Sequence, residues 1–491
     1  VSLRDFVELL RREGELAVVT APVDPWLEMA EIADRASKAG GPALLFERPV
    51  AATAAGSAPA ANAHRFSGPP LPVLMNQFGS YRRLELALGA PLDEIAGRIA
   101  ELVELQIPKG LVGKVKALGQ LRELASYAPK VVAKAAFREV VVEPPDLGRL
   151  PVLTTWPGDG GPFVTLPVVI TKDGEGRRNA GMYRLQVYDA RTTGMHWHVH
   201  HDGAANLREA DERLEVAVAL GTDPAVTYAA TAPLPAGIDE LMFAGFLRGR
   251  PVELAKCATV DLEVPADAEI VLEGYVDKTE TRREGPFGDH TGYYSLADDY
   301  PVFHLTAMSM RRDAVYPATI VGRPPMEDCF LGKATERLFL PLLRLTLPEI
   351  VDLELPIEGV FHDCAVLSIR KAYPGHARKV MSAVWGMGQM MFTKFVVVVD
   401  EHVDVHDPRE VAWRVFNNVD PRRDTMIVDG PLDVLDHSSP TAGYGAKMGI
   451  DATRAWPAEG HPREWPDELA MDQAVKARVD ERWAELGLSF R

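Results

Sequence analysis

Between residues 140 and 324 the chain is built from short runs of β-branched and aromatic residues closed by Gly and Asp turns. VVVE, PVLTTW, FVTLPVVITKD, NAGMYRLQVYD and GMHWHVHH come first, then VELAKCATVDLEV, AEIVLEGYVD, VFHLTAMSMRR and PATIVGRPP. Many short strands at regular spacing predict a barrel or a sandwich. Helices are expected to interrupt the run at 206–220 and 238–248. The last third changes period. FHDCAVLSIRK, FTKFVVVVD and TMIVDG read as strands; HARKVMSAVW and the segment opened by Asp407-Pro408 read as helices. That alternation predicts a parallel sheet covered on both faces, with right-handed crossovers. No GxGxxG follows a strand there, so a Gly-rich dinucleotide site is not indicated.

At 491 residues the chain exceeds one core, and two or three domains are expected. Ser2 can cap a first helix, with Asp5 three residues on, and Asp24-Pro25 opens a second. PALLF and PVLMN read as strands, and helical patterns follow at 81–88 and 92–105, giving a mixed α/β region over 1–108. Within it, 51–72 is rich in Ala, Ser, Gly and Pro and reads as a flexible insertion. The basic stretch 109–138, with Lys114, Lys116, Arg122, Lys130 and Lys134, reads as a solvated helical face, with a phosphate patch as the lesser reading. A middle unit is placed at 109–324 and a C-terminal unit at 325–491. In the closing helix, 471–486, Ala474, Val475, Val479, Trp483 and Leu486 form a stripe for packing, on its own domain or across an oligomer interface.

A net charge of -17 argues against a general nucleic-acid binder and against adsorption to anionic membranes. No apolar run reaches spanning length and no secretory pattern opens the chain, so a cytoplasmic location is expected. Cys257, Cys329 and Cys364 are scattered, which disfavours a disulfide framework or a thiolate zinc site.

Three stretches carry chemistry. In EGPFGDHTGYY, Glu284 and Asp289 flank a Gly/Pro-rich turn that can aim both acids at one point; a surface turn with solvated acids is the rival reading. In NAGMYR, strand alternation would put Asn179 and Arg184 on opposite faces unless a bulge intervenes. In GMHWHVHHD, His196, His198 and His200 would share one strand face, suggesting a metal, an anion or a proton-transfer site, against a solvated His-rich strand. HxH followed by Glu209 also raises a cupin-like metal oxygenase built on His196, His198 and Glu209, although Glu209 lies in a helical pattern.

NAGMYRLQ, IDELMFAGFLRG, KCATVDLEVPADAEIVLEG, EGPFGDHTGYY and VGRPPMED, in this order, resemble the UbiD family of reversible, non-oxidative decarboxylases that use prenylated FMN. The resemblance runs nearly end to end, to the closing KMGIDATRAWP. It implies a mixed α+β fold: an FMN-binding split β-barrel between an N-terminal α/β region and a C-terminal α/β domain used in oligomerisation, as a homodimer or homohexamer. Asn179, His200 and Glu240 match ligands of a Mn2+ ion under the cofactor phosphate, with K+ a further candidate ion. Met182, Tyr183 and Arg184 match a flavin-contacting run, His196, Trp197 and His198 a second, and His201 with Asp202 a third. Better-known members carry arginine where His196 and His201 stand, which weakens fixed positive charge there.

The implied catalytic group is Arg184 between Glu284 and Asp289. A guanidinium holds a carboxylate in a fork and keeps Glu284 ionised, while a buried Asp289 is expected to have a raised pKa and to act as general acid. His290 reads as an auxiliary, in proton transfer or in orienting Asp289. The implied partners are an aromatic acid and a flavin prenyltransferase that supplies the cofactor. ATERLFLPLLRL, DCAVLSIRKAYPGHARKVMSAVWG and the GMHWH variant look most like the quinone-biosynthesis branch, with a dihydroxynaphthoate or 4-hydroxy-3-polyprenylbenzoate type of acid; 339–347 is a candidate lining for a prenyl channel.

Overall fold

The computed structural model describes residues 2–51, 66–103, 122–198, 201–235 and 237–488. Most of the expected insertion, Lys114, Lys116 and His200 lie outside the described residues. Of the basic stretch, Arg122, Lys130 and Lys134 are exposed, as a solvated face requires, but the face is not one helix: Lys130 stands in the Lys130–Val131 strand and Lys134 in irregular backbone.

Ser2 caps the Leu3–Arg12 helix in a reciprocal capping box with Asp5. The helix buries Leu3, Phe6, Val7 and Leu10 beside a small sheet of Leu16–Val19, Ala43–Phe46 and Val73–Met75. The fourth strand of that sheet, Tyr316–Pro317, returns from the end of the middle region, which ties the chain's first quarter to the site-bearing part.

The middle region centres on a seven-stranded antiparallel sheet. Its path runs Thr192–Gly194, Asp298–Met310, Ile270–Glu284, Arg213–Leu220, Val168–Lys172, Arg178–Gly181, with Val140–Val142 pairing Asp298–Met310 off that path. The path is open, with no closed cycle among the described residues. Both faces are buried. Ala217, Ala219, Ile170 and Val271 enter one core, and Val216, Val218, Val169 and Leu272 enter another. This corrects the helix expected over 206–220: the helix is Asp202–Glu209, and RLEVAVAL is the Arg213–Leu220 strand. A strand buried on both faces loses the two-residue alternation that would have revealed it.

The Ile270–Glu284 and Asp298–Met310 strands form one long hairpin. Its tip, 285–297, contains a two-stranded ribbon of Phe287–Gly288 with Tyr294–Ser295. EGPFGDHTGYY is therefore the end of the sheet's longest hairpin: Glu284 is the last residue of a strand and Asp289 sits in the tip.

The C-terminal unit has five strands in the order Ile350–Glu354, Cys364–Ile369, Phe395–Asp400, Tyr444–Asp451, Thr425–Pro431. The three central strands are parallel, but both edge strands are antiparallel, so the sheet is mixed rather than parallel throughout. Val396 and Val398 face the Glu327–Thr346 and His376–Val384 helices, and Val397 and Val399 face Pro408–Asn418. Asp407 caps that last helix through Arg409 and Glu410 N–H groups. Leu340, Leu343 and Leu347 are buried in this core, so 339–347 packs rather than lining a prenyl channel. The closing helix, Gln473–Arg482, buries none of its residues on its own chain. No described helix is long and apolar enough to cross a membrane.

Candidate active site

Beyond Gly181 the strand gives way to irregular backbone at Met182–Arg184, and the Met182 N–H donates to Ala230 O at 3.1 Å. The break supplies the change of face that strict alternation denied. Asn179 and Arg184 both line one cavity of about 490 Å3. The cavity also gathers Met182, Tyr183, His196, His198, His201, Asp202, Glu240, Asp289 and His290 from the middle region. Phe361, Gln389, Asp433, Val434 and Leu435 close it from the C-terminal unit. Trp197 is not in the lining; it packs edge-on against Tyr183, 6.2 Å between ring centres.

Arg184 uses each of its three nitrogens as a donor and has two further N–H groups. Nε donates to Glu284 Oε1 at 3.1 Å, Nη1 to Asp289 Oδ2 at 2.5 Å and Nη2 to Ser295 Oγ at 3.1 Å. The guanidinium lies 4.3 Å over the Phe287 ring. Glu284 is 1 % exposed and Asp289 5 %, so neither is a solvated turn acid. Burial alone would raise both pKa values, but His196 and Arg184 hold Glu284 down. His290 and Arg184 likewise hold Asp289 well below the ordinary carboxylate range. The expected raised pKa of Asp289 is thereby corrected: the resting acid is ionised. The proton sits beside it, on His290. Burial would depress His290, but the hydrogen bond to Asp289 and its charge prevail and push it up to about 9.

The hairpin tip is held from behind. Gly285 N–H donates to Gln186 Oε1 at 2.7 Å and Gly288 N–H to Asp159 Oδ1 at 2.8 Å. A Cβ on Gly288 would lie 2.1 Å from Trp156 Cδ1, and Trp156 is itself pinned by Nε1–H donation to Val321 O at 2.9 Å. Gly288→Ala is therefore expected to cost about 1–3 kcal/mol and to displace Asp289; a lowered Tm together with reduced turnover checks it.

The histidines converge without forming one strand face. His196 Nδ1 meets Glu284 Oε2 at 2.8 Å, and its Nε2 meets His198 Nε2 at 2.9 Å. His201 Nδ1 accepts from the His198 N–H at 3.1 Å, and its ring lies 4.9 Å from Tyr183. Burial and the positive charge of Arg184 outweigh the hydrogen bond and charge of Glu284 and keep His196 below its ordinary pKa, and His198 is pulled down to about 4, chiefly by burial. Glu209 is exposed at the end of its helix and outside the cavity lining, so the His196/His198/Glu209 centre is not assembled.

On the cavity's other side, Asn179 Nδ2 is buried without a hydrogen-bond partner. Glu240, at the first turn of the Glu240–Arg248 helix, accepts from Ala180 N–H at 3.1 Å, and burial pushes it up to about 7. Sequence reasoning did not find Phe361, Asp433, Ser295, Gln186 or Asp159, whose roles depend on contacts with no local pattern.

Family models match the chain over most of its length. Residues 7–103 match the N-terminal domain of 3-octaprenyl-4-hydroxybenzoate carboxy-lyase, residues 130–324 its Rift-related domain and residues 329–452 its C-terminal domain. The chain belongs to the UbiD family. An uncharacterised protein of Archaeoglobus fulgidus is 52% identical over 491 residues, covering 99% of this chain and 98% of that one. Among solved UbiD-class structures, the vanillic acid decarboxylase of Sedimentibacter hydroxybenzoicus in closed form is 28% identical with a TM-score of 0.81, covering 99% of this chain and 98% of that one. HmfF of Pelotomaculum thermopropionicum, in complex with FMN, is 32% identical with a TM-score of 0.78, covering 98% of this chain and 100% of that one. An evolved dimeric form of HmfF was solved with prenylated FMN.

Proposed function

We propose that this UbiD-family chain is a prenylated-FMN- and Mn2+-dependent, reversible, non-oxidative decarboxylase of an aromatic carboxylic acid. The observation that carries the reading is Arg184 braced between two buried carboxylates at a cavity that also presents Asn179 and Glu240. The open middle sheet is read as the split barrel that holds the flavin.

The donor set suits a hard or borderline divalent cation. Such an ion would relieve the half-buried Glu240 carboxyl and be coordinated by the Asn179 amide oxygen, with His200 as third ligand and K+ as a further ion candidate. It would hold the cofactor phosphate, while Met182, Tyr183, His196, His198, His201 and Asp202 border the space for the flavin. When bound, the prenylated flavin supplies the electron sink for loss of CO2. Arg184 orients the acid and keeps Glu284 ionised. Asp289 carries a proton to the carbon left behind.

The cavity must take flavin and acid together, which favours a compact hydroxyaryl acid, of dihydroxynaphthoate type, over one with a long polyprenyl tail. A place in quinone biosynthesis and a flavin prenyltransferase as cofactor supplier complete the reading. The uncovered Gln473–Arg482 helix supports self-association, as a homodimer or homohexamer.

The test is co-expression with a flavin prenyltransferase, followed by a panel of hydroxybenzoates, hydroxynaphthoates and cinnamates scored for CO2. The expected result is a modified-flavin spectrum, bound Mn2+ and release of CO2 from a hydroxyaryl acid; a chain that never retains flavin sinks the reading. Glu240→Gln is expected to weaken Mn2+ binding by at least about tenfold, read by titrating the metal into the flavin-free chain.

A further inference from the structure

Decarboxylation consumes one proton per turnover, because a carboxylate enters while CO2 and a C–H bond leave. Asp289 must therefore be supplied with a proton each cycle. Of its described hydrogen-bond partners, Arg184 does not give up a proton and the His290 N–H is a backbone amide. One titratable partner is left: His290 Nδ1, 2.9 Å from Asp289 Oδ1. On the ring's other side, His290 Nε2 lies 2.7 Å from His362 Nε2, close enough that one proton is shared between them.

His362 comes from the C-terminal unit, on a turn that costs backbone strain. Val360 and Phe361 have φ of 45° and 54°, which non-glycine residues rarely adopt, least of all a β-branched one. The turn stacks Phe361 on His290, 5.3 Å between ring centres and 27° between planes. His362 Nδ1 is buried with no hydrogen-bond partner; Asp363 Oδ1 is 3.2 Å away but misaligned. Asp328 from the long helix and Asp433 from the cavity wall face His290 as further negative charges, with Arg184 opposing beyond Asp289.

We propose that His290 is the proton reservoir of Asp289, and that His362 is the positioning residue that makes it one. This rests on the decarboxylase reading. His290 holds a proton on each ring nitrogen. Its Nδ1 proton passes to Asp289 Oδ1 and from there to the product carbon. The Nε2 proton stays shared with His362 Nε2, so the ring remains oriented with Nδ1 on the acid. After product release, a proton from bulk solvent, relayed by water entering the cavity, restores the Nδ1 proton. The raised pKa of His290 keeps the store filled through neutral pH.

The test has two arms. In the flavin-free chain, 15N NMR should show two histidines titrating near pH 9, His290 and His406, with the His290 signal assigned by its loss in His290→Gln. His362→Phe should lower the His290 value by about one unit and His362→Gln, whose amide oxygen still accepts, should restore most of it. In the loaded enzyme the alkaline limb of kcat should move by the same amount with KM unchanged. His290→Gln should remove the limb and lower kcat about tenfold to a hundredfold. A limb that ignores the His290 titration, or a His362→Phe variant in which neither arm moves, overturns the proposal. Because the NMR arm needs neither flavin nor substrate, the histidine pair stands or falls there. Failure of the wild type to release CO2 from any acid counts against the decarboxylase reading instead.

Discussion

Asp289→Asn is expected to lower kcat by about 10²–10⁴ while leaving flavin and Mn2+ bound. The substitution is nearly isosteric. The amide oxygen can still accept from Arg184 Nη1, which lies 2.5 Å from the native carboxylate, so the guanidinium keeps its place. What disappears is the capacity to carry a proton from His290 to carbon. A second signature follows from charge. The pKa of His290, about 9, owes its elevation to the hydrogen bond and negative charge of Asp289, against the opposing effect of burial. With a neutral partner only burial and the remaining acids act, and His290 should titrate well below 9. Steady-state kinetics on the loaded enzyme and NMR on the flavin-free chain measure the two effects separately. A variant with wild-type kcat would remove Asp289 from the mechanism.

Arg184→Leu should be more damaging still, because it affects folding as well as chemistry. Glu284 and Asp289 are 1 % and 5 % exposed, and Arg184 is a cationic partner of both. Breaking a buried ion pair from one side costs about 3–5 kcal/mol, since the charges left behind have no solvent. Turnover should fall by at least about 10²–10³. The pH dependence carries the sign. In the wild type both carboxyls titrate below their ordinary range, so their contribution to stability is present above the unfolded pKa, about 4, and is lost as pH falls. In the variant the same acids must ionise without the guanidinium, with only His196 and His290 beside them, so the penalty is largest at neutral pH and fades as they take up protons. Denaturation curves should therefore diverge at pH 7 and approach each other towards pH 4. Arg184→Lys should not restore activity, because one ammonium cannot meet Glu284, Asp289 and Ser295 in the native fork.

Much of this site could be read from residues near one another in sequence. Ser2 and Asp407 mark helix starts by local hydrogen bonding, and the structure has helices there. Glu284 and Asp289 were visible as a pair because a short Gly/Pro turn joins them. Features that depend on tertiary placement were not visible. RLEVAVAL lacks alternation because both faces of its sheet are buried, so it imitates a helix. The ionisation state of Asp289 could not be reached from burial alone. Its sign is set by Arg184, 105 residues away in sequence, and by the histidine next to it. His362 lay inside a segment read as strand, whereas the strand begins at Cys364; before it, Phe361 lines the cavity and His362 meets His290.

The cavity is walled by two units with different tasks. Arg184, Asp289, Asn179 and Glu240 come from the middle region, whereas Phe361, Gln389, Asp433, Val434 and Leu435 belong to the C-terminal unit. In evolutionary terms this separates reactivity from selectivity. Substitutions on the C-terminal wall can reshape the cavity without touching Arg184, Glu284 or Asp289. A lineage can thus change the acid it consumes while inheriting the reaction intact, and chimeras joined between residues 324 and 329 should transplant substrate preference. His362 is the exception, a wall residue coupled to the proton supply, and it sets a limit on how freely that wall can diverge.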